Sequence, residues 1–222
     1  MKVNKSLITV ALDSPAAAGA GTQAKLIAKH YNLLNLDTGR IYRLIGKLKL
    51  GNPKKFNYKL VKKKVKNLKI SQLNDKSLLQ DEIATSASII AKDKKIREIV
   101  FKIQQKFGYF PPKKYDGSVL DGRDITSVVL KDATFKFYIT ANIKTRAKRR
   151  FKEYRKLNKK ITLKEVLKSL KNRDKSDRTR VYGPLKKTKD SILINCTKLS
   201  ISQCFLKIKA IMDSKLKKNG NL

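Results

Sequence analysis

The chain has no Trp, one His, two Cys and five Pro in 222 residues, and only 17 Asp+Glu stand against 54 Lys+Arg. No apolar run approaches 18 residues, so the sequence predicts no membrane-spanning helix. The run Leu7 to Leu12 is too short for the core of a signal peptide, and no small-residue cleavage site follows it. Cys196 and Cys204 lie eight residues apart with neither metal-ligand nor CxxC spacing. They read as two reduced thiols of a cytoplasmic protein, with Cys196 a small packed residue rather than a nucleophile. His30, at the end of the first helical pattern, fits a cap or surface role rather than catalysis. With no internal repeat and no low-complexity linker, residues 1–222 are expected to form a single domain.

What remains is a large cationic excess, a net charge of +37. Polycations bind phosphate backbones by releasing counterions, so nucleic acid is one candidate partner. The make-up of the charge argues otherwise. It comprises 43 Lys and 11 Arg, and the Lys are scattered from Lys2 to Lys218 rather than gathered in one block. Scattered Lys is what solvated faces of any kind use. Arg is the informative minority, because its planar fork grips phosphate bidentately and Lys cannot match that geometry.

The pattern of apolar residues alternates strand and helix. Leu7–Leu12 reads as a buried strand, followed by a small-residue loop from Asp13 to Gly21 and a helix from Thr22 to about Tyr31-Asn32. A second strand at Leu33–Leu36 leads into a helix carrying Ile41, Leu44, Ile45 and Leu48. This order predicts an α/β fold with a parallel sheet. From Gly51 to about Asn74 the chain is Lys-rich and loosely patterned, an excursion rather than sheet. Helices are expected at about Asp81–Ala91 and Asp93–Phe107, strands at Ser118–Leu120 and Phe135–Thr140, and a very basic helix at about Ile143–Leu157. A helix at about Leu163–Arg173 and a basic loop to Pro184 follow. A strand at Ser191–Asn195 and a helix from Ser200 to about Leu216 close the chain.

Between the first strand and helix, Asp13-Ser14-Pro15-Ala16-Ala17-Ala18-Gly19-Ala20-Gly21-Thr22 has the setting of a phosphate-binding loop, where small residues let backbone N–H groups approach an anion at a helix N-terminus. Against G-x-x-x-x-G-K-[ST], Ser14 stands for the first Gly and Ala20 where Lys belongs. The motif alone therefore fails. Its surroundings do not. Leu36-Asp37-Thr38-Gly39-Arg40-Ile41-Tyr42-Arg43 resembles L-D-[ST]-G-x-x-Y-R of bacterial cytidylate kinases, and Asp121-Gly122-Arg123-Asp124-Ile125 resembles their D-G-R-D-[IM]. Arg146-Ala147-Lys148-Arg149-Arg150 is similar to their R-A-x-R-R. Arg173 to Arg180 is similar to R-D-x-x-D-x-x-R, with Pro184-Leu185 after it. Ala84 to Arg97 and Leu199-Ser200-Ile201 also fit, so the resemblance covers almost the whole chain in order.

The resemblance implies a nucleoside-monophosphate kinase fold: a parallel five-stranded sheet flanked by helices, a monophosphate-binding lobe at about 51–95 and a lid at about 143–182. It implies transfer of the ATP γ-phosphate to CMP or dCMP, with Mg²⁺ held mainly by nucleotide phosphates and water and no protein metal ligand assigned. Ser14, Pro15, Ala16, Ala17, Ala18, Gly19, Ala20, Gly21 and Thr22 would cradle ATP. Arg43, Arg123 and Arg173 would grip the acceptor phosphate. Thr38 belongs to the same substrate site. Ser88, Arg97 and Asp124 would read cytosine, Tyr42 and Asp177 would contact the sugar, and Arg173 and Arg180 would act in catalysis. Leaving aside Arg40 and the R-A-x-R-R segment, six of the eleven Arg fall in motifs that resemble a nucleotide site: Arg43, Arg97, Arg123, Arg173, Arg178 and Arg180. A monomer with small-molecule partners, and no membrane or specific nucleic-acid partner, is the expectation.

Independently of the resemblance, Arg173, Asp177 and Arg180 share a face if the helix continues through them. Arg146, Arg149 and Arg150 repeat the arrangement at i, i+3, i+4. Ala20 leaves three readings open: a cation from elsewhere replaces the Lys, the enzyme is slow, or the fold binds CMP without turnover. A basic nucleic-acid-binding protein on the same fold is the rival from another class.

Overall fold

The computed structural model describes residues 7–157 and 160–218. Five strands, β1 (Ile8–Asp13), β2 (Leu34–Asp37), β3 (Gly117–Gly122), β4 (Phe135–Thr140) and β5 (Ile192–Asn195), form one parallel sheet in the order β2-β3-β1-β4-β5. All six residues of β1 are buried, as a central strand covered on both faces demands. Its side chains alternate between two cores. Ile8, Val10 and Leu12 face one core, and Ala11 faces the other. The first core is completed by helices α1 (Ala20–His30) and α8 (Ile201–Lys218), through Ile27, Ile208 and Met212. The second is completed by α2 (Thr38–Gly51), α3 (Tyr58–Lys66) and α5 (Lys94–Tyr109), through Ile41, Val61 and Val100.

The expected strands and helices are present, with ends shifted by a residue or two, and three segments differ in kind. The Lys-rich stretch 51–74 holds α3, whose Val61 and Val65 reach the core while Lys59, Lys62, Lys63 and Lys66 remain in solvent. Two apolar residues four apart are enough to pin nine residues, too weak a period to stand out among lysines. The helix begun at Leu163 does not stop near Arg173. As α7 (Leu163–Thr179) it runs on to Thr179, started by a reciprocal Thr162–Glu165 capping box. After Asp124, residues Ile125–Val129 form a turn of π-helix that the sequence pattern does not announce.

A fourth difference is covalent. Cys196 and Cys204 are joined as a disulfide, with Cα atoms 6.1 Å apart, in place of the two free thiols expected. Cys196 follows the end of β5 and Cys204 lies in the first turn of α8. The chain reverses between them and brings the pair within bridging distance, which spacing alone does not reveal.

Between β4 and β5 the chain makes α6 (Ile143–Lys156) and α7, which pack on each other through Ala147, Val166 and Leu170 and on Ala16 of the loop after β1. On the other side, α4 (Asp81–Ile90) packs against α2. Gly46 permits this contact: a Cβ there would stand 3.0 Å from the Ala87 backbone nitrogen. Among the described residues, no helix is long and apolar enough to cross a membrane.

Candidate active site

All five strands are parallel, so their carboxyl ends lie on one edge, where open α/β sheets form their binding crevice. A cleft of about 580 Å³ occupies that edge between α4 on one side and α6 and α7 on the other. Every residue singled out for ATP, substrate or catalysis lines it, from Ser14 through Thr22 to Arg180. Arg178 does not: it lies on the exposed face of α7.

The loop between β1 and α1 forms the floor. Gly19 turns the chain at φ 103°, and Ala17 adopts the left-handed conformation at φ 59°. Gly19 caps α1 without any side-chain hydrogen bond, so the first N–H groups of the helix are left for an anion. Ala20, in the first turn, is buried and ends in a methyl group. From above, α6 reaches down to the loop. Arg146 is buried and donates to the carbonyl oxygens of Ala16 and Ala141, both at 2.9 Å, and to Asp174 Oδ2 at 2.6 Å. Arg149 donates to the Cys196 carbonyl at 2.7 Å and more loosely to those of Ala18 and Leu199. These two arginines fasten helix, loop and the β5–α8 connection together.

The opposite end of the cleft is a lattice of arginines and aspartates. Arg123 donates through Nε to Asp177 Oδ2 at 2.7 Å. Arg180 Nη1 lies 3.8 Å from Asp177 Oδ1, its Nη2 lies 3.5 Å from Asp124 Oδ1, and its Nε donates to the Gly183 carbonyl at 2.6 Å. Arg97 pairs with the other oxygen of Asp124 and donates to the Ala91 carbonyl. Continuation of α7 to Thr179 is what brings Arg173, Asp177 and Arg180 into this lattice. Burial pushes the Asp124 carboxyl up while Arg97, Arg180 and Arg123 oppose the shift. Tyr42, its ring 5.8 Å from the Arg97 guanidinium carbon, has its phenol pushed up to about 12 by burial.

Arg173 is under-compensated. Its Nε is buried without a hydrogen-bond partner and stands 4.0 Å from Asp177. Burial, with Arg123, Arg43 and Arg150 nearby, lowers its guanidinium to about 10. Arg43 has a single carbonyl partner, Leu78 at 2.7 Å. Several half-buried cations facing one cavity with too few carboxylates describe a site complementary to an anion. Thr38 is tied to the sheet by its hydroxyl, which donates to the Asp121 carbonyl at 2.8 Å. Ser88 lies at the cleft wall on α4.

Three carboxylates stand at the strand ends. Asp13 accepts from Ile125 N, Thr126 N and Thr126 Oγ1 at 2.6–2.9 Å and so anchors the π-helical turn; burial raises it to about 6 despite those bonds. Asp121 is half-buried opposite Asp37 in the β2–β3 register, and its buried Oδ1 has no hydrogen-bond partner. Burial and then the Asp37 charge push the Asp121 carboxyl well above the usual range. Among the described residues, no group of three or more His, Cys, Asp or Glu is arranged to hold a metal ion.

Residues 10–214 match the family described as cytidylate kinase. The chain belongs to the cytidylate kinase family. It is 39% identical over 214 residues to the cytidylate kinase of Bartonella bacilliformis, covering 96% of this chain and 98% of that one. It is 37% identical over 216 residues to that of Clostridium botulinum, covering 92% and 97%. Among solved structures, an uncharacterized protein from Eubacterium ventriosum is similar in fold, with TM-score 0.57 and 18% identity over 93% of this chain and 99% of that one.

For this cytidylate kinase family member, sequence reading did not anticipate Lys152, Glu153 and Tyr154 of α6, or Cys196 and Cys204, at the cleft. The spacing of Arg146, Arg149 and Arg150 was the signal available for α6. It could not separate Arg146 and Arg149, which bind carbonyls, from Arg150, which does not.

Proposed function

We propose that this protein is a cytidylate kinase that moves the γ-phosphoryl group of ATP to CMP or dCMP, giving CDP or dCDP. The observation that carries the reading is Asp124, buried at the acceptor end of the cleft between Arg97 and Arg180. A carboxylate accepts from the exocyclic amine of cytosine, whereas uracil presents a carbonyl oxygen there and is repelled. In this reading Ser88 and Arg97 hold the rest of the base, and Tyr42 and Asp177 meet the sugar. Thr38 lies in the same pocket.

Arg43, Arg123 and Arg173 would hold the acceptor phosphate, relieving the repulsion that leaves Arg173 under-compensated. The N–H groups of residues 14–22 would hold the donor phosphates at the start of α1. ATP supplies the transferable phosphoryl group, and Mg²⁺ screens its charge. Among the described residues no group of three or more ligand side chains is arranged for a metal, and Asp121 and Asp37 stand near the loop, so phosphates and water would complete a hard cation's shell. Phosphoryl transfer asks the protein to align two polyanions, neutralise them and exclude water. Arg173 and Arg180, on the arm formed by α6 and α7, are placed to follow charge into the transition state. We assign that arm, at about 143–182, as the lid and residues at about 51–95 as the monophosphate-binding lobe. The same reading makes the protein a cytoplasmic monomer with no specific nucleic-acid partner. Reduction of the Cys196–Cys204 bond would be favoured in that compartment.

The test is turnover. Purified protein with ATP and Mg²⁺ is expected to form ADP with CMP or dCMP and roughly 5–150-fold less efficiently with UMP. Asp124→Asn is expected to narrow that ratio. A folded protein that binds CMP and forms no ADP with any monophosphate would instead be a silent homologue.

A further inference from the structure

The Cys196–Cys204 pair has no part in phosphoryl transfer, yet both residues line the cleft, on the wall beside the phosphate-binding loop. Resting on the kinase reading, we propose that this pair is a reversible thiol–disulfide site whose bonded state tightens the binding of ATP.

The bond joins a fixed element to one that can shift. Cys196 is tied to the sheet, its N–H donating to the Thr140 carbonyl at 2.7 Å. Its own carbonyl accepts from Arg149 of α6 at 2.7 Å, and Arg149 also reaches the carbonyls of Leu199 and Ala18. Cys204 sits in the first turn of α8, where its N–H donates to the Ser200 carbonyl at 3.0 Å. Ser200 and Ile201 line the cleft, and the Ile201 carbonyl accepts from Gln23 Nε2 of α1 at 3.1 Å. Bonded sulfurs stand about 2.05 Å apart, whereas two thiols must separate to van der Waals contact. With Cys196 held by the sheet, reduction displaces the start of α8, and with it the wall at Ser200 and Ile201 and the bond to Gln23. Oxidation draws that wall back toward the loop that holds the donor phosphates. At the acceptor end, Asp124, Arg97 and Arg180 bond one another and the Ala91 and Gly183 carbonyls, so CMP should feel little of the change.

The pair is poorly suited to a purely stabilising role. The gain from a crosslink grows with the loop it closes, and only eight residues separate these cysteines. The reversal between them is already pinned, by Thr197 Oγ1 donating to Asn195 Oδ1 at 2.6 Å and by Ser200 N–H donating to Gln203 at 2.9 Å. Cys196 and Cys204 are 3% and 1% exposed, so a reagent reaches them through the cleft they line. That cleft, about 580 Å³, is large enough for a tripeptide thiol. The reagents are a low-molecular-weight thiol and its disulfide, such as those of glutathione. One glutathione thiolate attacks a sulfur of the pair, the S–S bond breaks, and the departing cysteine sulfur takes up a proton. A second glutathione attacks the mixed disulfide and releases the other cysteine as a thiol. Two electrons have then passed to the protein, and one glutathione disulfide is left. The reverse sequence restores the bond.

The experiment measures ATP binding to the full chain by equilibrium dialysis, with Mg²⁺ and no acceptor, in glutathione buffers that leave the pair bonded or reduced. Mass after acid quench and alkylation verifies the state. The bonded form is expected to bind ATP about 5–150-fold more tightly, and saturating ATP should shift the thiol–disulfide equilibrium toward the bond by the same factor. KM for CMP should change by less than about twofold, since the acceptor end is uncoupled. Cys204→Ala, and separately Cys196→Ala, should bind ATP as the reduced chain does and ignore glutathione. An affinity ratio below about fivefold, tighter binding by the reduced form, or a pair that glutathione disulfide cannot bond overturns the proposal. So does a glutathione response that persists in either variant. The comparison of the two states needs no substitution, so it decides the matter if a variant fails to fold. ADP formation in both states with one ATP affinity defeats this proposal alone. No ADP formation in either state defeats the kinase reading itself.

Discussion

At the scale of single residues, burial decides what charge can do. Asp13 carries an unusual load: it is fully enclosed, yet it receives three hydrogen bonds from the π-helical turn that presents Arg123 and Asp124 to the cleft. Desolvation outweighs those bonds and raises the carboxyl to about 6. The folded state therefore holds this proton more tightly than the unfolded chain does. Its contribution to stability is fully present below the ordinary carboxylate pKa near 4 and is lost as pH rises through about 6. A carbon-detected NMR titration should place the Asp13 midpoint near 6. A midpoint near 4 would mean that the three bonds, not burial, prevail. Asp13 was legible from the sequence only as the first residue of the loop after the strand, because its partners are 112 and 113 residues away.

At the scale of elements, α6 and α7 are tied to each other by one buried ion pair, Arg146 with Asp174 at 2.6 Å, and to the loop by the donation of Arg146 to the Ala16 carbonyl at 2.9 Å. Asp174 Oδ1 already lacks a partner. Removing the arginine leaves a buried carboxylate uncompensated, so Arg146→Met is expected to cost about 3–5 kcal/mol, read from urea unfolding. The same variant frees the Ala16 carbonyl and should raise KM for ATP. A change below about 1 kcal/mol would show that the arm is held mainly by its Ala147, Val166 and Leu170 packing. The sequence predicted both helices but ended the second too early. Lys and Asp beyond Arg173 look like loop composition, and only the packed position of Asp174 and Asp177 on the inner face makes helix the better choice. The Cys196–Cys204 bond escaped for a related reason: a chain reversal has no period to detect.

At the scale of the whole molecule, the +37 charge separates into two populations. Lysines such as Lys59, Lys62, Lys63 and Lys66 on α3 face solvent, while Arg97, Arg123, Arg173 and Arg180 converge on one cleft. The first population attracts polyanions without selecting among them. Any binding to single-stranded RNA should fall steeply between 50 mM and 200 mM salt, by about 10³ if six phosphates are neutralised. KM for CMP, set by half-buried and screened-off arginines, should move by no more than a few-fold across the same range. Retained, sequence-selective RNA binding at 200 mM salt would favour a nucleic-acid role for the fold.

The sequence by itself determined the order of strands and helices, the parallel sheet, and many of the residues that line the cleft, because periodicity and short motifs are local properties. It also exposed the missing lysine at Ala20. The tertiary structure alone decided which arginines are free to meet a phosphate. Arg146, Arg149 and Arg150 are chemically identical and neighbours on one helix, and what distinguishes them is whether distant carbonyls have already claimed their donors. Such claims depend on how β1, β5 and α7 approach α6 in space, and no spacing along the chain encodes that approach.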